Sequence, residues 1–172
     1  MIISLIGYRA TGKSTIGSRL ATTLQVPFYD SDHLILKKIR KPISEFFATE
    51  GENQFREIES EIACELMKIP VGVISWGGGV ILTENNREKI KNSSKTIWLQ
   101  ASSETIHERI SHDPQSVQNR PALTQLDRID EIKNHLSLRE PLYQECADHT
   151  IQTDEKSVEE ITQLLVDTIN RQ

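Results

Sequence analysis

The feature that most constrains this chain is Gly7-Tyr8-Arg9-Ala10-Thr11-Gly12-Lys13-Ser14, a G-x-x-x-x-G-K-[ST] octapeptide. It stands between a short apolar run, Ile2-Ile3-Ser4-Leu5-Ile6, and a segment in which Ile16, Leu20 and Leu24 recur at helical spacing. Apolar strand, glycine-bounded loop and helix is the context in which this pattern cradles phosphates. Gly7 and Gly12 let the backbone curl without Cβ clashes, so that successive N–H groups turn inward as an anion nest. A helix beginning near Lys13 adds its N-terminal partial positive charge. Lys13 then reaches the β- and γ-phosphates, and the Ser14 hydroxyl ligates Mg²⁺. The alternative, a chance loop of glycine and lysine, does not account for the strand before it and the helix after. The reading is a nucleoside triphosphate site.

A length of 172 residues, 37% of them hydrophobic, fits one globular domain with a sizeable core, without repeats or low-complexity tracts. A formal charge of −5 argues against a general nucleic-acid binder. The basic cluster Lys37, Lys38, Arg40, Lys41 reads as a solvated helix face that can also draw anions toward the loop. Cys64 and Cys146 are isolated and read as reduced, inert residues of a cytosolic protein. The phosphate loop begins at Gly7, which leaves no room for a signal peptide, and no apolar run is long enough to span a membrane. The expectation is a cytoplasmic protein with neither a membrane nor a nucleic-acid partner.

Along the chain, Val26-Pro27-Phe28-Tyr29 reads as a second strand ending in Asp30-Ser31-Asp32, followed by a helix from about His33 to Arg40. Ser44 is a candidate cap for a further turn through Phe46 and Phe47, and Thr49-Glu50-Gly51-Glu52 reads as a turn. A long helix from about Asn53 to Lys68 carries Phe55, Ile58, Ile62, Leu66 and Ile69 at spacings of three, four, four and three. The strand Val71–Trp76 runs into Gly77-Gly78-Gly79. A helix over Glu84–Lys91, a strand over Thr96–Leu99 and a helix over Glu104–Ile110 follow. Periodicity vanishes from Ser111 to about Asp127, a polar stretch that reads as a mobile lid or plain disorder. Arg128–Arg139 is helical with Pro141 disrupting it, Thr150–Gln152 makes a last strand, and Ser157-x-x-Glu160 is a capping box for the final helix. Strands alternating with helices predict a parallel α/β sheet covered on both faces, with ligands at the carboxyl ends of the strands. Gly7–Ser14, Asp30–Asp32 and Gly77–Gly79 all follow predicted strands and should meet there.

Charge on faces that should be apolar marks further candidates. Glu59 falls among Ile58, Ile62 and Leu66, with Arg56 on the adjoining shoulder, close enough to pair with it. The pair reads either as site residues or as a surface ion pair. Arg139 continues the stripe of Ile129, Ile132 and Leu136, facing inward or reaching back to water. Two inward arginines near a phosphate loop point to an anionic substrate, most simply a carboxylate gripped bidentately. Asp30 and Asp32 share a side in extended chain, one suited to Mg²⁺ through water and the other to accepting a hydroxyl proton. Asp32 also suits a helix cap. Three consecutive glycines make sense where backbone touches ligand, though a flexible turn is the alternative. Arg120 would meet the transferring phosphoryl group if the lid closes. His33, His107, His112, His135 and His149 show no metal-ligand spacing and read as structural or surface residues.

Taken in order, Gly7–Thr15, Asp30-Ser31-Asp32, Phe55-Arg56-Glu57-Ile58-Glu59, Gly77-Gly78-Gly79, Arg120-Pro121 and Arg139-Glu140-Pro141-Leu142-Tyr143 resemble the shikimate kinases, phosphate-loop kinases related to nucleoside monophosphate kinases. The resemblance runs from Ile3 to about Asp154. It implies ATP-dependent phosphorylation of the 3-hydroxyl of shikimate in aromatic amino-acid biosynthesis, on a three-layer α/β fold with a five-stranded parallel sheet in order 2-3-1-4-5. It implies one domain over 1–172, with a lid about 111–127 and an acid-binding helical region about 33–61. Gly7, Ala10, Thr11, Gly12, Lys13, Ser14 and Thr15 would hold ATP, with Ser14 and Asp30 serving Mg²⁺. Asp32 would be the residue on the substrate hydroxyls and the base. Arg56 and Arg139 would grip the shikimate carboxylate, with Glu59 and the glycines Gly77, Gly78 and Gly79 around it. Arg120 would be the lid arginine and Arg109 the residue near adenine. A monomer is the family's default at this size.

Three details depart from, or qualify, the resemblance. Arg9 stands where many members have a small or apolar residue, and the lid segment around Asp113–Asn119 is somewhat long. The strand before Gly77 lacks a terminal aspartate, as in the family, so the Mg²⁺ duty falls to Asp30. Gluconate also presents a carboxylate and hydroxyls, so a clamp alone admits it, as the fold admits a nucleoside monophosphate. A non-catalytic nucleotide module would be expected to have lost Lys13, Asp32 or an inward arginine. A guanine switch is disfavoured because no N-K-x-D segment occurs.

Overall fold

Strand residues that alternate between two apolar environments need helices on both sides of the sheet. A computed structural model describes residues 1–112 and 128–170, and shows that arrangement. The strands β1 (Ile2–Ile6), β2 (Phe28–Asp30), β3 (Gly72–Ser75), β4 (Lys95–Gln100) and β5 (His149–Gln152) are all parallel, in the order β2-β3-β1-β4-β5. The period of two in β1 sends Ile2 and Ile6 to one face and Ile3 and Leu5 to the other.

The helices are α1 (Lys13–Leu24), α2 (Ser31–Ile39), α3 (Ile43–Leu66), α4 (Glu84–Ser93), α5 (Ser103–Ser111), α6 (Arg128–Cys146) and α7 (Val158–Asn170). Ile3, Leu5, Val73, Ile97 and Leu99 pack against Ile16 and Leu20 of α1 and Ile161, Leu165 and Ile169 of α7. On the opposite face Ile74 and Trp98 meet Ile35 of α2, Phe55, Ile62 and Leu66 of α3, Ile90 of α4 and Tyr143 of α6. Trp76 and Lys95 show how polar groups within the layers are paired. The indole N–H of Trp76 donates to Ser4 Oγ at 2.9 Å, and Lys95 Nζ donates to the Thr168 carbonyl at 3.0 Å. Among the described residues no helix is long and apolar enough to cross a membrane.

Several boundaries differ from the sequence reading, each for a local reason. Helix α2 starts at Ser31, and its cap is Asp30, whose Oδ1 accepts from the His33 N–H at 3.1 Å. Asp32 therefore lies in the first turn, and the shared side that extended chain would have given it with Asp30 does not exist. The two segments read as a capped turn and a long helix run together as α3, kinked where Gly51 takes φ 83° and ψ 171°. Pro42, rather than Ser44, precedes its first turn. Pro141 lies inside α6 instead of ending it. A proline in a helix interior costs about 3 kcal/mol, and here the turn beyond it buries Tyr143 and Cys146 in the core. A single turn over Val80–Leu82, unsuspected from sequence, joins the glycine run to α4. The final helix is capped as expected, with Ser157 and Glu160 exchanging hydrogen bonds at 2.8 and 3.2 Å.

The phosphate loop contains one residue in a conformation that L side chains resist: Ala10, at φ 61°. The left-handed region costs a residue with a Cβ about 1–2 kcal/mol, against about 0.5–1 kcal/mol for ordering glycine. Ala10→Gly is therefore expected to stabilise the protein by about 0.5 kcal/mol, read as an increase in urea midpoint at unchanged slope. A fall in the midpoint would show that the Ala10 methyl packs well enough to offset its strain.

Candidate active site

Because every strand is parallel, the loops after β1, β2 and β3 emerge on one edge of the sheet, and the three sequence motifs meet there. Gly12 precedes α1 with φ 90°, so the first turn of α1 opens onto the loop. Within the loop Lys13 is buried, and its Nζ donates to the Tyr8 carbonyl at 2.7 Å. Thr11 Oγ1 donates to the same oxygen at 2.8 Å. Ser14 Oγ donates to Asp30 Oδ2 at 2.5 Å and lies 3.4 Å from Ser75 Oγ. Two hydroxyls and a carboxylate are hard oxygen donors of the type Mg²⁺ takes, few enough to leave most of its shell to phosphate and water. Among the described residues no group of three or more His, Cys, Asp or Glu side chains is arranged to hold a metal ion. The donor set fits an ion held jointly with a nucleotide.

Beside this loop lies a cavity of about 260 Å³. Its charged wall consists of Asp32, Arg56, Glu59 and Arg139 with Gly77, Gly78 and Gly79, and Phe47 and Phe55 supply apolar surface. Of the two readings of Arg56 and Glu59, the structure selects the inward one. Arg56 Nη1 donates to Glu59 Oε2 at 2.7 Å, and Glu59 is only 3% exposed. On its other side Arg56 Nη2 donates to the exposed Glu52 Oε1 at 3.0 Å. Burial alone would lower the Arg56 pKa, but the Glu59 and Glu52 carboxylates raise it above the ordinary arginine value, so the guanidinium stays charged. Arg139 lines the same cavity with its Nη1 3.4 Å from the Gly78 carbonyl. The Tyr143 hydroxyl donates to that carbonyl at 2.7 Å, and burial pushes the Tyr143 pKa well up, keeping the phenol neutral.

The glycine run is a close-approach device. A Cβ on Gly77 would strike Asp32 Oδ1, and one on Gly79 would strike Arg56 Nη1. The Gly77 N–H donates to Ser31 Oγ at 2.8 Å, tying the run to the first turn of α2. These contacts, not turn flexibility, account for Gly77 and Gly79, whereas a Cβ on Gly78 would meet only ordinary van der Waals contacts.

The structure thus brings Asp32, Arg56, Glu59, Gly77, Gly78, Gly79 and Arg139 together beside the phosphate loop. Arg109 stands next to that loop. Its Nη1 donates to the Ala10 carbonyl at 3.2 Å, and its Nη2 donates to the Thr153 carbonyl at 2.9 Å. Arg120 and nearly all of the expected lid, about 111–127, lie outside the described residues. The cavity is also lined by Tyr8, Arg9, Glu131 and His135, none of which the sequence reading placed in the substrate pocket. On sequence alone His135 reads as structural or surface. Burial first, and then the Arg139 charge, lower its pKa and favour the neutral ring. The available signal was spacing: Glu131 and His135 fall four residues apart, and His135 and Arg139 another four, so all three share one face of α6.

A phosphate-binding loop opening a helix, next to a cavity bearing two arginines and an aspartate, defines a small-molecule kinase whose acceptor carries an anionic group. A family model described as shikimate kinase matches residues 9–170. A shikimate kinase of Rhodopirellula baltica is 40% identical over 157 residues, 91% of this chain and 84% of that protein. A shikimate kinase from Acinetobacter baumannii, solved in complex with shikimate, superposes with a TM-score of 0.90 at 33% identity, covering 98% of this chain and 92% of that one. A gluconokinase from Sinorhizobium meliloti, at TM-score 0.64 and 17% identity over 98% and 91% of the two chains, shares the fold. The chain belongs to the shikimate kinase family and carries its activity, ATP-dependent phosphorylation of shikimate in aromatic amino-acid biosynthesis.

The packing of Gly79 against Arg56 gives a direct check on the acid side of the cavity. Gly79→Ala is expected to displace the guanidinium, raising KM for the acid by about ten-fold or more and leaving KM for ATP within two-fold. Equal weakening of both substrates would mean that the methyl disturbs the whole edge of the sheet instead.

Proposed function

We propose that the cavity binds shikimate with its carboxylate between Arg56 and Arg139 and its 3-hydroxyl toward Asp32, in line with the terminal phosphate of ATP on the loop of Gly7, Ala10, Thr11, Gly12, Lys13, Ser14 and Thr15. The observation that supports this most is that Arg56, Arg139 and Asp32 line one cavity with Tyr8, whose carbonyl is hydrogen-bonded to Lys13. The substrate carboxylate takes the place of Glu52 on Arg56. An exposed ion pair of that kind is worth about 0–1 kcal/mol and is readily exchanged, whereas the buried Glu59 stays and keeps the guanidinium in plane with the cavity. Gly78 and Gly79 bring backbone within reach of the ring hydroxyls.

In the transfer step the acceptor oxygen forms a bond to the γ-phosphorus as the bond to the β-phosphate oxygen breaks, giving ADP and shikimate 3-phosphate. Asp32 orients the hydroxyl and takes its proton. Lys13 and the loop N–H groups hold the charge that builds on the phosphate oxygens. Mg²⁺, reached by Ser14 and Asp30, would neutralise charge across the β- and γ-phosphates when bound. Arg109 borders the nucleotide near adenine, and Arg120, on its motif alone, meets the transferring group. The proposal extends to a single domain over 1–172, a cytoplasmic monomer, and no nucleic-acid or membrane partner.

Two substitutions separate these roles. Arg139→Ala is expected to raise KM for shikimate by about 100-fold, roughly 2–3 kcal/mol for a charge-assisted bidentate contact, with KM for ATP nearly unchanged. Equal weakening of both substrates would remove the clamp. Asp32→Asn is expected to lower kcat by about 10²–10⁴-fold while shikimate still binds, without loss of thermal stability because Asp30 supplies the cap. A loss of melting temperature with kcat retained would return Asp32 to a structural role. A coupled ADP-release assay comparing shikimate, gluconate and nucleoside monophosphates tests the acceptor itself.

A further inference from the structure

Tyr8 sits inside the phosphate loop, yet its side chain belongs to the other half of the site. It is 3% exposed, packed with Ala101, Ile106, Ile110 and Ile132, and it lines the acid cavity. The Arg139 guanidinium carbon lies 5.5 Å from the centre of its ring. That is within the range of a cation–π contact, whereas Arg139 Nη1 lies at a long 3.4 Å from the Gly78 carbonyl. The ring itself is fixed from α6. The Tyr8 hydroxyl and His135 Nδ1 are hydrogen-bonded at 3.2 Å, and the two rings meet edge to face, 6.2 Å apart at 67°. Arg9 of the loop itself also lies over this ring, at 5.7 Å, but His135 precedes Arg139 by one helical turn, so the residue that steadies the ring and the cavity arginine that rests on it come from the same face of one helix.

We infer that Tyr8 is a positioning residue for Arg139: its ring, steadied by His135, holds the guanidinium ready over the acid cavity before substrate arrives. The inference rests on Arg139 being a carboxylate arginine. An arginine side chain held beforehand in its binding rotamer has less freedom to lose when the carboxylate docks, and the saving appears in the affinity for the acid. Tyr8 does not touch the reacting atoms through this ring. Its effect should therefore fall on KM for shikimate, not on kcat.

The test is a double-mutant cycle with kinetics for both substrates. Tyr8→Leu is expected to raise KM for shikimate by about ten-fold, the worth of a partly buried cation–π contact, with kcat and KM for ATP within two-fold. Tyr8→Phe keeps the ring and should recover most of that loss. In an Arg139→Ala background Tyr8→Leu should add less than two-fold, because there is no guanidinium left to hold. The same ten-fold loss in that background, or an equal rise in KM for ATP, overturns the inference and makes Tyr8 a general support of the loop. If Arg139→Ala leaves KM for shikimate unchanged, the clamp reading and this inference fall together. If it raises KM while Tyr8→Leu does not, only this inference falls. Tyr8→Met, closer in volume, reads the same quantities should the leucine variant be unstable.

Discussion

A charge placed on the buried face of a helix must be neutralised where it stands, and the rest of this site follows from how Arg56 meets that requirement. Its partner Glu59 is one turn away on α3 and almost fully buried, at 2.7 Å. Removing Arg56 would take a 2.7 Å partner from the buried Glu59 carboxylate, a cost of up to several kcal/mol, whereas without Glu59 the guanidinium would keep Glu52. An ion pair with one member buried and the other half-buried contributes little net stability against an apolar pair of similar shape. What it supplies is a fixed guanidinium at the edge of a cavity, with its second side turned to the exposed Glu52. The geometry reads as a site built for an anion, at a position where the fold by itself would have been served as well by leucine.

The parallel sheet determines what that guanidinium faces. Three strand ends deliver the phosphate loop, the start of α2 and the glycine run to one edge, and there is room for all of them only because the third loop lacks side chains. A Cβ at Gly77 or Gly79 would occupy the space of Asp32 or Arg56. Asp32 and Arg56 are thus located by contact with the same short stretch of backbone. That contact couples the acid pocket to β3 and, through the Gly77 N–H bond to Ser31, to α2.

How much of this was legible from residues alone depended on the kind of signal. The strand order and the phosphate loop could be read because local pattern and topology agree there. Helical periodicity also flagged Glu59 and Arg139, since it reports which face a residue occupies. It does not report what lies opposite. Whether Arg56 and Glu59 formed a surface pair or a cavity wall was decided by Gly79 and Phe55, residues distant in sequence or in kind. Tyr8, Arg9, Glu131 and His135 escaped for the same reason: only tertiary packing shows that the loop's side chains and one face of α6 border the same cavity. The cap of α2 falls on Asp30 instead of Asp32 because the helix starts two residues earlier than its periodicity indicates, at Ser31. Pro141 was misjudged because local propensity does not include the burial of Tyr143 and Cys146 beyond it.

The same packing explains how so polar a site is stable before its ligands arrive. On the proposed binding mode, three of the groups that would meet phosphate, metal or carboxylate already hold an internal oxygen. Lys13 donates to the Tyr8 carbonyl, Ser14 to Asp30, and Arg56 to Glu52. Binding is then an exchange of one oxygen partner for another, not the formation of a first one, so little desolvation remains to be met by the incoming ligand. The arrangement also sets an order of looseness. Glu52 is exposed and easily released, whereas the Tyr8 carbonyl is buried and held by Thr11 as well. On that binding mode the acid side would exchange its partner without disturbing the fold, while the nucleotide side would compete with a hydrogen bond inside its own loop.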